Sequence, residues 1–151
     1  MKVEPKKRSV PERIFAKQAG TKVQYEPRDK VAYYKTSYLP DFVYEANDAY
    51  EGPIVVEVKE WLEGTQMRRV REVASHYAKE GILFVVAVYW RVGLAPTEPL
   101  RQIQTWPKQG RMERFRLCRW LHDNGINFIC YDEQSDVEKL CRELAAKYYA
   151  N

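Results

Sequence analysis

Residues 38–61 read YLPDFVYEANDAYEGPIVVEVKEW, and the rest of the chain is organised around them. Residues 38–44 and 53–59 have the composition of two β-strands, joined by a polar connection that carries Asn47, Asp48 and Gly52. Successive side chains on a strand take opposite faces, so Glu57 and Lys59 share one face while Val56 and Val58 share the other. A hairpin-like return brings Asp41, near the start of the first strand, beside that pair. Two carboxylates and one ammonium then meet at the end of a buried sheet. Acidic oxygens of that kind suit a hard cation such as Mg²⁺, and a neighbouring Lys is able to hold a water or a phosphate. Each piece alone is ordinary: Pro-Asp is a turn dipeptide, and E-x-K is common at strand edges, where charge blocks pairing. The short gap, and the apolar run leading straight into Glu57, give the combination its specificity.

A length of 151 residues fits one domain with its own core. There is no apolar run of membrane-spanning length and no signal-peptide pattern, so a soluble, cytoplasmic protein without a membrane partner is expected. Residues 1–8 form a basic and polar segment, expected to be flexible, and residues 9–151 the folded domain. Cys118, Cys130 and Cys141 lack C-x-x-C spacing, which argues against a zinc site or a disulfide framework and for buried thiols. With only His76 and His122, histidine-based catalysis has little support. The formal charge of +4 is mild, but Lys2, Lys6, Lys7 and Arg8 cluster at the start and Arg68, Arg69 and Arg71 on an expected helix. Such clusters are ordinary solvated faces; beside a metal site they also track phosphates. Lys7, Arg8, Arg68, Arg69 and Lys79 are the candidate DNA contacts.

A helix is expected over residues 9–20, with Ser9 as cap, Pro11 in the first turn and Gly20 at its end. Glu12 lies early on it, where an acid either complements the helix dipole or turns towards Asp41 and Glu57 as a third carboxylate. Residues 22–26 and 31–36 alternate like strands. A helix over 64–79 faces the sheet through Met67, Val70, Ala74 and Tyr77. Residues 82–90 (ILFVVAVYW) read as a strand buried on both faces. A proline-rich loop over 91–110 contains Trp106, read as a surface aromatic rather than a DNA contact. A helix over 111–124 (Phe115, Leu117, Cys118 and Leu121 inward), a strand over 126–131 and a closing helix over 136–149 complete an α/β domain: a mixed sheet flanked by helices.

The spacing Pro40-Asp41 … Glu57-x-Lys59 resembles the PD-(D/E)xK nuclease signature. With S-x-x-E at 9–12, Y-x-P-D-F at 38–42, V-E-V-K at 56–59 and G-I-N-F at 125–128, the chain resembles the endonuclease I family of phage-type Holliday-junction resolvases over residues 9–129. The resemblance implies a restriction-endonuclease-like fold and a homodimer that cuts branched DNA, in the host cytoplasm if phage-encoded. It also implies that Glu12, Asp41, Glu57 and the Val58 carbonyl bind Mg²⁺ or Mn²⁺, while Lys59 orients or deprotonates water. The bridge between Tyr25 and Tyr38 departs from the family pattern, which puts exchange of that segment between protomers in doubt. Two other readings stand beside it: a nicking, restriction-type or transposase-associated nuclease, and a non-catalytic nucleic-acid-binding module.

Overall fold

The structure is a computed structural model that describes residues 9–26, 38–46, 52–98 and 113–150. The described elements run, in chain order, α1 (Val10–Gln18), β1 (Val23–Tyr25), β2 (Phe42–Tyr44), β3 (Ile54–Lys59), α2 (Gly64–Lys79), β4 (Leu83–Tyr89), α3 (Glu113–Asp123), β5 (Asn127–Tyr131) and α4 (Val137–Tyr149). The five strands form one sheet in the order β1-β2-β3-β4-β5. β1, β2 and β3 pair antiparallel, while β3, β4 and β5 pair parallel. The α/β architecture with a mixed sheet is therefore as the sequence pattern indicates.

Helices cover both faces of this sheet. On one side Val70, Val73 and Tyr77 of α2 and Leu117, Cys118 and Leu121 of α3 pack on Val43, Val55, Phe84 and Val86. On the other side Phe15 of α1 and Val137, Cys141 and Ala145 of α4 pack on Phe42, Val56, Val58 and Val85. Every residue of β4 is buried, which its unbroken apolar run requires. Each such Val or Leu contributes about 1.5–3 kcal/mol relative to an exposed side chain, so β3 and β4 make a stiff floor for whatever stands at their ends.

Several boundaries differ from expectation. β2 begins only at Phe42, because Pro40 has no N–H to give a ladder. β1 stops at Tyr25, and Glu26 then takes a left-handed φ of 46°. Val73 joins Val70 and Tyr77 on the buried stripe of α2, Ala74 is partly buried against them, and Met67 is half-exposed. Ser9 caps α1 as expected, its Oγ accepting from the Glu12 N–H at 3.3 Å. The three cysteines are buried free thiols, with the sulfurs of Cys118 and Cys130 3.6 Å apart. The expected strand at 31–36, the basic segment 1–8 and Trp106 lie outside the described residues. Among the described residues no helix is long and apolar enough to cross a membrane.

Candidate functional site

The β2–β3 register decides where the acids meet. Phe42 stands opposite Val56. Carried one residue further, an antiparallel ladder sets Asp41 opposite Glu57, at the carboxyl end of β3. In open sheets with parallel strands that end is where ligands bind. Past the last β2–β3 pair, the Val58 N–H has no strand partner and donates to Asp41 Oδ2 at 2.8 Å. The backbone of β3 thus aims the Asp41 carboxyl group at Glu57.

The pair is held in an apolar setting. Glu57 is buried, and the Tyr38 hydroxyl donates to its Oε2 at 2.6 Å. Burial, then the charge of Glu57 and a hydrogen bond between the two acids, push the Asp41 carboxyl up to about 9. The Val58 N–H and the Lys59 ammonium act the other way without overcoming this. Glu12 stands within electrostatic reach: burial, then the charge of Asp41, raises its carboxyl, against the pull of hydrogen bonds from Tyr25 and Ser9. The Tyr25 hydroxyl donates to Glu12 Oε2 at 3.0 Å. Among the described residues no three His, Cys, Asp or Glu side chains already stand together as a ligand set. Asp41 and Glu57 are brought together, and Glu12 stands beside them as a separate Tyr25-bonded group. As a donor set, two facing carboxylates that coexist by keeping a proton suit a hard divalent cation, which would neutralise both.

A cleft of about 430 Å³ opens at this point, lined by Glu26, Tyr38, Leu39, Glu57, Lys59, Gln66, Arg69, Val70, Val73 and Phe84. Lys59 and Arg69 supply its positive charge, and the Arg69 guanidinium lies 6.0 Å from the centre of the Tyr38 ring. The other expected DNA contacts are not gathered here. Arg68 is exposed and does not line the cleft. Lys79 sits ten residues along α2 from Arg69, about 15 Å away at the helical rise. It borders a separate groove with Arg71, Glu72, Ser75 and His76. Lys7 and Arg8 lie outside the described residues.

Among the polar cleft or site residues, four were not assigned a role there from sequence: Tyr25, Glu26, Tyr38 and Gln66. The tyrosines read as packing residues. A phenol buried beside a Pro-Asp pair still needs an acceptor, and that was the available signal. Glu26 and Gln66 are polar residues in polar surroundings, and only the fold draws them to one cleft. Comparison with protein-family models, curated proteins and solved structures finds no match for this chain.

Proposed function

We propose that the chain is a metal-dependent DNA endonuclease that prefers branched substrates. The observation that carries this reading is the Asp41–Glu57 pair at the end of β3, whose Glu57 lines a cleft together with the cations Lys59 and Arg69. Asp41 and Glu57 would hold Mg²⁺ or Mn²⁺, with the Val58 carbonyl and Glu12 as the remaining candidate ligands. Such an ion, when bound, supplies Lewis acidity for a phosphoryl oxygen and lowers the pKa of a coordinated water.

The chain's own groups do the rest. Lys59 shares the face of Glu57 and orients the attacking water or removes its proton. Arg69 at the cleft wall neutralises a phosphate, and the apolar surface of Val70, Val73 and Phe84 keeps the charges poorly solvated and therefore strong. The net charge of +4 is compatible with a polyanionic partner. A branch is resolved by two opposed cuts and the described residues hold one such site, so we propose a homodimer, two-fold symmetric as most dimers are.

A gel assay tests this: purified protein with Mg²⁺ is offered linear duplex, single strand, flap and four-way junction. Paired nicks in the junction, lost with chelator, are expected, together with a dimer by light scattering. Equal cutting of linear duplex by a monomer would leave a generic nuclease. Binding without cutting in any Mg²⁺ or Mn²⁺ condition would leave a non-catalytic module.

A further inference from the structure

We infer that Tyr38 is a positioning residue that fixes Glu57 as a single-oxygen donor and so sets which divalent cation the site accepts. The inference rests on the metal reading above. Its observations are the 2.6 Å hydrogen bond from the Tyr38 hydroxyl to Glu57 Oε2 and the way the ring is wedged. Tyr38 is 7% exposed. Its ring meets Tyr77 at 6.4 Å and 68°, and Phe84 at 6.4 Å and 72°, both edge-to-face. Tyr77 and Phe84 are themselves stacked, 5.8 Å apart at 9°, so the wall behind the phenol is a rigid pair rather than a single side chain.

A phenol held this way has one proton to give, and gives it to Oε2. Turning both Glu57 oxygens to one ion would make Oε2 share its lone pairs between the phenol and the metal, or rotate the carboxylate off a short bond in a buried place. Mg²⁺ and Mn²⁺ in octahedral sites are content with one oxygen from each carboxylate. Ca²⁺ takes six to eight oxygens, at longer distance, and readily accepts a carboxylate through both. An Oε2 already engaged in this way favours the smaller ion twice over: the bond orders the ligand, and it disfavours the bidentate mode. Hydrogen-bond partners of metal ligands change affinity by about 10–100-fold when removed.

Calorimetric titration of Mn²⁺ and of Ca²⁺ into wild type and Tyr38→Phe reads this without any turnover. The variant keeps the ring and loses the hydroxyl. It is expected to bind Mn²⁺ at least about tenfold more weakly, with Ca²⁺ weakened less or strengthened, so that the Mn²⁺/Ca²⁺ ratio falls. A second variant, Phe84→Leu, keeps the hydroxyl but loosens the wall behind it, and should lower the same ratio by a smaller factor. If Tyr38→Phe fails to fold, Phe84→Leu carries the test by itself. An unchanged ratio in the folded variants overturns the role of Tyr38 while leaving the metal site standing. Wild type that takes up no Mn²⁺ overturns the metal reading and this role with it.

Discussion

Glu57 and Asp132 are both charged side chains drawn out of water, at 8% and 6% exposure, yet their surroundings differ in kind. Asp132 follows β5 and is saturated with donors. Its Oδ2 accepts from the N–H groups of Gly93 and Ala95 at 3.1 and 3.3 Å. Its Oδ1 accepts from the Gln134 N–H at 2.8 Å and the Ser135 hydroxyl at 3.3 Å. The carboxylate pins the start of the segment after β4 to the end of β5. Glu57 has the Tyr38 hydroxyl and a hydrogen bond shared with a second acid, Asp41. A buried carboxylate with four donors is stabilised from within the fold and serves the fold. One that faces another acid is compensated only by the Tyr38 hydroxyl and the proton the two acids keep between them, and is suited to a positive charge brought from outside.

Stability measurements test this contrast first. Asp132→Ala leaves two backbone N–H groups of the 93–95 segment without their acceptor, and is expected to cost about 3 kcal/mol in urea unfolding. Glu57→Gln removes charge from a repelling pair and should change stability by less than about 1 kcal/mol, in either direction. Equal losses in the two variants would break the contrast.

The next effect is the pH dependence. The Asp41 carboxyl is raised from 3.8 to about 9, so the unfolded chain releases this proton in a range where the folded protein keeps it. Between those values the folded state binds more protons, and stability therefore falls as pH rises. The slope from this one group is at most about 1.4 kcal/mol per pH unit. Asp41→Asn should remove that slope in unfolding experiments run in chelator across the range, and should be the more stable protein at the alkaline end. A slope unchanged by the substitution would show that the two acids do not share a proton.

The smallest expected effect separates two neighbouring arginines. Arg69 lines the cleft and Arg68 does not. Arg69→Ala should therefore weaken DNA binding for all sequences alike and lower the salt slope by about 1, with Arg68→Ala doing less. Equal effects would return both to a general basic surface.

Much of this arrangement could be read from the residues. The apolar run of β4 and the alternation in β3 specified a mixed sheet, because both signals are local. The Asp41–Glu57 juxtaposition was also legible, because an antiparallel register follows from two strands and the connection between them. Tyr38 was not, since its role depends on Tyr77 and Phe84, which arrive from α2 and β4. Asp132 was overlooked for a similar reason: two of its four donors come from residues 93 and 95, and no pattern around Asp132 announces them. The separation of Lys79 from the cleft needed the direction of α2, which runs away from the carboxyl end of β3.

The most direct test is phosphodiester cleavage by wild type and Glu57→Gln, purified in parallel and assayed on the same four-way junction with Mg²⁺. If Glu57 holds the metal as proposed, loss of its charge removes several kcal/mol of transition-state stabilisation, a fall of more than about a hundredfold. The account predicts that wild type cuts, that chelator abolishes the cutting, and that Glu57→Gln is inactive while unfolding at the wild-type urea midpoint. Cleavage by a folded Glu57→Gln at the wild-type rate, or full wild-type activity in chelator, would contradict it.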